Sequence, residues 1–246
     1  MSTSRREVCL AFQTTSWGVL RQAAEGSSAA SREALGRLCE TYWPPVYGFI
    51  RSRGHSPSDA EDLTQAYFAR FLEKGYLADF RPEVGRFRTF LRASVAHFLA
   101  NEWDRVRALK RGGGQVVLSL DAATAEERLR LEPVDRLTPE TVFERQWAAA
   151  VLSRCLERLR REQAAGAGEG RFERLKAFLS GDGADVGYST LARELGLKEG
   201  AARSAVHRLR RRFAAVLCEE ILETVSDPRE VDAEIRWLLE AVRRKG

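Results

Sequence analysis

Apolar residues recur along most of the chain at spacings of three and four, the period of an amphipathic helix. Residues 1–30 carry one such cluster, Trp17, Leu20 and Ala24, before a Gly26-Ser27-Ser28 break, which predicts a short docking helix. From Ser31 to Arg111 the pattern predicts packed helices. Leu35, Leu38 and Tyr42 share a face, Pro44-Pro45 interrupts it, and Val46, Tyr47, Phe49 and Ile50 resume it up to Gly54. Ser58 or Asp59 is positioned to cap a helix with Leu63, Tyr67 and Phe71 on one face. A loop around 75–85 follows. The next helix has Phe90, Leu91, Val95, Phe98, Leu99, Trp103 and Val106 on one side.

Gly112-Gly113-Gly114 ends this block. Residues 112–141 have weak periodicity, prolines at 133 and 139, and more acidic residues than arginines, the signature of an extended linker. Helical spacing returns with Phe143, Trp147, Val151, Cys155 and Leu159, and again with Phe172, Leu175 and Phe178. In the tail, Asp227-Pro228-x-Glu230 reads as a capped helix start with proline in the first turn. Its stripe of Val231, Ile235, Leu238, Leu239 and Val242 is expected to pack on the second domain. The alternative is a regulatory or partner-docking helix. The expected fold is all-α: an N-terminal segment (1–30), a helical domain (31–111), a linker (112–141), a second helical domain (142–218) and a C-terminal helical extension (219–246).

Composition narrows the chemistry. The 246 residues carry a formal net charge of +5, with 44% hydrophobic and 30% charged residues, which suits a globular chain. No apolar run approaches the roughly 20 residues of a membrane span. Arg5 and Arg6 are not followed by an apolar stretch of signal-peptide type, so a cytoplasmic protein without membrane association is expected. Cys9, Cys39, Cys155 and Cys218 make no CxxC, and His55, His97 and His207 are far apart, so neither a metal site nor a cofactor is expected. Asp59, Glu61, Asp62 and Glu73 are too spread along one helix to build a catalytic site, and an enzyme is not the reading.

The sharpest pattern is STLARELGLKEGAARSAVHRLRRRF, residues 189–213. Leu191, Ala192 and Leu195 mark a short helix, Gly196 ends it, Leu197 is the buried turn residue, and a second helix starts near Glu199. That is the layout of a helix-turn-helix. Ala202, Val206, Leu209 and Phe213 form the inner face. Lys198, Glu199, Arg203, Ser204, His207, Arg208, Arg210 and Arg211 fall at its start or largely outward, as a major-groove reader requires. A solvated arginine face on an ordinary helix hairpin is the plainer alternative.

These residues resemble region 4 of sigma factors of the extracytoplasmic-function type, within the sigma-70 family. The family's "LGISEGTVKSRLHRARKRL" stands here as LGLKEGAARSAVHRLRRRF. DAEDLTQAYFARFLEK, residues 59–74, is similar to region 2.2, whose usual form is "DAEDLVQEVFLRLL". The resemblance implies that Asp59, Asp62 and Gln65 contact core RNA polymerase; acidic residues favouring the helix dipole are the alternative. GRFRTFLRASVAHFLANEWDRVRALKR, residues 85–111, resembles regions 2.3 and 2.4. Its frequent "ARN" stands here as Val95-Ala96-His97, and its usual Asp as Asn101. Holding a melted −10 strand needs cations along the backbone and aromatics for unstacked bases. The candidates are Arg86, Arg88, Arg92 and Arg105, with Tyr76, Phe80, Phe87, His97 and Asn101; Phe90, Phe98 and Trp103 are assigned to the core.

The resemblance implies a non-enzymatic specificity subunit that binds core polymerase (β′ coiled coil and β flap) and promoter DNA. An anti-sigma factor or other regulator is a further implied partner. The −35 duplex would be read by the helix-turn-helix and the melted −10 strand by region 2. The N-terminal TTSWGVL, the KRGGG run and the long tail resemble a subgroup with C-terminal extensions. The rival reading is a stand-alone helix-turn-helix DNA-binding transcriptional regulator, which leaves DAEDLTQ unexplained.

Overall fold

The computed structural model describes residues 29–81, 85–109, 137–167, 169–180, 187–222, 224–225 and 227–243. The expected N-terminal docking helix, nearly all of the linker, and Lys110 and Arg111 lie outside them. Among the described residues the chain is all-α, without a strand. Its helices are α1 (Ala29–Arg51), α2 (Pro57–Glu73), α3 (Phe87–Leu109), α4 (Pro139–Ala167), α5 (Glu169–Ser180), α6 (Tyr188–Leu195), α7 (Glu199–Leu222) and α8 (Val231–Arg243). Two compact units result. One contains the described parts of 13–150 and 221–246; the other contains those of 151–220.

In the first unit α1 runs unbroken through Pro44 and Pro45, against the expected interruption. An interior proline costs about 3 kcal/mol. Tyr42, Val46, Tyr47, Phe49 and Ile50 are all nearly or fully buried, and a large apolar side chain contributes roughly 1.5–3 kcal/mol when buried. Packing therefore outweighs the two prolines.

The cap of α2 also differs from expectation. Ser56 is the N-cap, its Oγ accepting from the Asp59 N–H at 3.1 Å and donating to the Asp59 carboxylate at 2.7 Å, with Pro57 in the first turn. Ala60, Thr64, Tyr67, Phe68 and Phe71 are buried, and Thr64 Oγ1 donates to the Ala60 carbonyl at 2.6 Å. Leu63 is only half-buried. Gly75, at φ +63°, turns the chain into a 3-10 turn at Tyr76–Asp79. Phe87, Leu91, Val95, Phe98 and Leu99 of α3 complete this core.

Two further segments join this unit. Thr138 caps α4, its Oγ1 accepting from the Thr141 N–H at 3.2 Å, so helix begins at Pro139 inside the expected linker. Phe143 meets the edge of Phe49 at 6.3 Å between centroids, and Trp147 is fully buried. Asp227 caps a 3-10 turn (Pro228–Glu230), and α8 starts only at Val231. Its inward face is Val231, Glu234, Leu238 and Ala241, while Leu239 and Val242 are exposed. The helix is rotated from the expected stripe because Glu234 and Trp237 turn toward Arg88: Glu234 pairs with it, and its guanidinium lies 3.7 Å from the Trp237 ring centroid. The tail therefore belongs to the first unit, and it meets the expected second domain (142–218) at the start of α4, where the Trp237 and Trp147 ring centroids lie 5.8 Å apart.

In the second unit Val151, Cys155, Leu159, Phe172, Leu175, Phe178, Leu191, Val206, Leu209 and Val216 form the core. An ion-pair network joins α4 to α7. Arg154 pairs with Glu220 at 2.9 Å, and Arg212 pairs with Glu162 at 2.7 Å and Glu219 at 3.1 Å. Arg158 also pairs with Glu219. Hydrogen bonds from Arg212 hold the Glu162 carboxyl below its ordinary range. A lowered carboxyl pKa stabilises fully above the unfolded value, about 4.3, and the contribution is lost as pH falls through the folded value.

Two outcomes are expected. Ser56→Ala should lower unfolding free energy by about 1 kcal/mol in urea titration, the usual cost of a lost N-cap. Arg212→Ala should be less stable than the parent at neutral pH, with the gap narrowing below about pH 4 as Glu162 takes up its proton. Thermal melts across the acid range check the second.

Candidate nucleic-acid interface

The second unit presents a short helix, a three-residue turn and a long basic helix. The Leu197 N–H donates to the Ala192 carbonyl at 2.8 Å and the Gly196 N–H to the Arg193 carbonyl at 3.3 Å, a Schellman ending with Gly196 at φ +64°. Leu197 is half-buried rather than buried. Lys198 opens α7, its carbonyl accepting from the N–H groups of Ala201 and Ala202. Ala202, Ala205, Val206 and Leu209 are buried. Phe213, expected on that inner face, is half-buried.

Lys198, Glu199, Arg203, Ser204, His207, Arg208, Arg210 and Arg211 are all exposed. They do different things. Arg203 donates to Glu199 at 2.6 Å, and its guanidinium lies 5.2 Å from the Tyr188 ring centroid, so it is already ordered. Ser204 Oγ donates back to the Gly200 carbonyl at 2.9 Å. Arg210 donates from Nε and Nη2 to the Phe178 carbonyl at 3.1 and 2.8 Å, closing the C-terminal turn of α5. Lys198, His207, Arg208 and Arg211 have no side-chain partner among the described residues.

In the first unit the candidate strand-binding residues divide. Phe80 and Phe87 are buried, their rings meeting edge to face at 5.3 Å, so neither is available to stack on a base as expected. Arg88 is 4% exposed and pairs with Glu144 at 3.1 Å and with Glu234. Its guanidinium lies 3.7 Å from the Trp237 ring centroid and 5.0 Å from that of Trp147. It is a core residue in this structure. Burial pulls its pKa down to about 10, against the opposing pull of Glu144, and it stays charged at neutral pH. Burial likewise pushes Glu144 up. Arg86 pairs with Glu234 and Arg92 with Glu144, each at 3.1 Å. The side chain of Arg105 lies outside the described residues.

Tyr76, His97 and Asn101 come together. They line a cleft of about 390 Å³ with Asp79, Phe90, Ser94 and Arg70. Phe90, assigned to the core from the sequence, is half-buried in this wall, and Trp103, assigned likewise, is 62% exposed. Phe90, Ser94, His97 and Asn101 follow one another at i, i+4, i+7 and i+11, a second stripe beside the apolar one. That spacing is the sequence signal that marks Ser94; Asp79, outside the helix, carries none. The cleft offers an aromatic wall and hydrogen-bonding groups of both senses, the chemistry that receives an unstacked base.

A second groove, about 630 Å³, is lined by the carboxylates of Asp59, Asp62 and Glu102, which outnumber Arg53 and His55 there, and by Leu63, Leu99 and Trp103. Asp59 is exposed and shared with the Ser56 cap; Asp62 and Gln65 are half-buried. No group of three or more metal-ligating side chains occurs among the described residues, and no helix among them is long and apolar enough to cross a membrane.

Residues 38–108 match the family model for sigma-70 region 2. The match runs from within α1 to the end of α3, and so takes in the cleft, the acidic groove and Arg88. No curated protein and no solved structure matches the chain.

Arg210→Ala should lower stability by about 1 kcal/mol, since it strands a helix-terminal carbonyl. Arg211→Ala should stay within about 0.5 kcal/mol of the parent. Paired urea titrations of the two variants separate the structural arginine from the presented one.

Proposed function

We propose that the chain is a sigma factor of the extracytoplasmic-function type, a dissociable, non-enzymatic subunit that brings core RNA polymerase to promoters. The observation that carries this reading is the region 2 match on α1–α3, where an aromatic and polar cleft lies on the same helices as an acidic groove. In this reading the groove carrying Asp59 and Asp62, together with Gln65, receives a basic helical element of the polymerase, the β′ coiled coil. The cleft at Tyr76, His97 and Asn101 receives a base of the melted −10 strand. The helix-turn-helix of α6 and α7 reads the −35 duplex, with Arg203 and His207 toward base edges and Lys198, Arg208 and Arg211 on phosphates. The same domain would meet the β flap. A tail helix on the region 2 unit fits a subgroup with C-terminal extensions, and an anti-sigma factor or similar regulator is the natural further partner. The setting is the bacterial cytoplasm.

The basic helix of α7 alone also suits a stand-alone DNA-binding regulator. Transcription in vitro with core polymerase, followed by start-site mapping, decides between the two: the sigma factor gives promoter-dependent transcripts, and the stand-alone regulator gives none.

Two variants test the assigned faces. Asp62→Arg should keep a cooperative melting transition, which shows that the fold is intact, and should strongly reduce retention on immobilised core enzyme through like-charge contact. Arg203→Ala should lose about 1–3 kcal/mol of promoter-duplex affinity and alter base preference. Arg211→Ala should weaken all duplexes alike and reduce the salt slope by about 1. Unchanged binding in both arginine variants would refute the duplex assignment.

A further inference from the structure

Arg86, Arg88 and Arg92 stand within seven residues at the start of α3, and this chain's own carboxylates already hold all three. Glu144 takes Arg88 and Arg92, each at 3.1 Å; Glu234 takes Arg86 at 3.1 Å and Arg88 as well. Three guanidiniums against two carboxylates leave one positive charge. Trp237 closes the cluster over Arg88.

We propose that α8 is an intramolecular competitor of nucleic acid, Glu234 holding the place that a phosphate of a single strand takes when the tail is displaced. The inference rests on the reading of the region 2 unit as a strand-binding unit.

The chemistry of the two occupants matches. A carboxylate and a phosphodiester both present paired anionic oxygens, and a guanidinium fork binds either. Glu234 is also hard to explain as packing alone. It sits 2% exposed on a face otherwise made of Val231, Leu238 and Ala241. Its place on that face is set by the two guanidiniums it meets, those of Arg86 and Arg88. The cluster has an open edge, because the Arg86 side chain is one-third exposed, and an incoming anion can engage there first.

The plug is also separable. At 13 residues α8 is too short to be stable alone in water, and Leu239 and Val242 on its outer side are 39% and 52% exposed. Its release is a local unfolding of a terminal element, and the incoming phosphate replaces the charge that Glu234 withdraws from Arg86 and Arg88. Glu144 stays on Arg88 and Arg92 after release, so the start of α4 keeps its anchor while the charge of the cluster rises by one.

The test is fluorescence anisotropy of a short labelled single-stranded promoter DNA against the full-length protein, Glu234→Gln, and a chain ending at Val225, each over a range of salt. Glu234→Gln keeps the size of the side chain and one acceptor, so it stays informative if the truncation fails to fold. Both variants should bind about three- to tenfold more tightly than the parent, with a salt slope steeper by about 0.7 for each phosphate gained. If a folded Glu234→Gln binds with the parent's affinity and slope, the competition is refuted and the strand-binding reading stands. If no form binds the strand, the strand-binding reading falls and the proposal falls with it.

Discussion

A charged side chain with 4% exposure lies at the centre of the first unit. Arg88 cannot stay there unless its charge is met, because removing one partner from a buried pair costs about 3–5 kcal/mol. Its partners come from far along the chain: Glu144 and Trp147 on α4, Glu234 and Trp237 on α8. The guanidinium suits this place better than an ammonium, since its flat face stacks on indole while its charge lies against both carboxylates. The grouping of the start of α4 and the whole tail with α1–α3 follows from that constraint. The rotation of α8 follows as well, because its register is set by Glu234 and Trp237 rather than by its most apolar stripe.

The same constraint decides what α3 can offer a ligand. With the tail docked, its first turn is engaged in packing and pairing, through Phe87, Arg88 and their partners. Recognition capacity moves to the middle of the helix, where Phe90, Ser94, His97 and Asn101 face the cleft. The helix thus carries two stripes about a quarter-turn apart, one apolar and one mixed.

Local signals in the sequence located the helices well and their partners poorly. The turn at Gly196, the inner face of Ala202, Val206 and Leu209, and the apolar run of α3 were legible because each depends on spacing within one element. Three kinds of feature were not. The continuity of α1 through Pro44 and Pro45 depends on tertiary burial, which a local rule does not contain. The Ser56 cap was missed by two residues because Ser58 and Asp59 are equally good cap types. The fates of Phe80, Phe87, Arg88 and Arg210 depend on residues between 7 and 146 positions away, and no periodicity encodes that. An arginine reads as a surface cation from its type alone, and only Glu234 and the Phe178 carbonyl show otherwise.

The charge order along α7 carries a last argument. A helix is stabilised by anions at its N-terminus and cations at its C-terminus. In α7 Glu199 lies in the first turn, Arg203, Arg208, Arg210 and Arg211 follow from the second turn to the middle, and Glu219 and Glu220 lie in the last turn. The two C-terminal glutamates sit at the unfavourable end. The acids are compensated, since Arg154, Arg158 and Arg212 pair with them. Among the cations, Arg203 is met by Glu199 and Arg210 by a carbonyl, which leaves Arg208 and Arg211, beside Lys198 and His207, facing outward. Helix energetics do not account for cations there, and neither does packing within the unit. A polyanion laid along the exposed face of α7 from Lys198 to Arg211 would supply the missing charge, and at the first turn the N-terminal dipole would favour the same ligand.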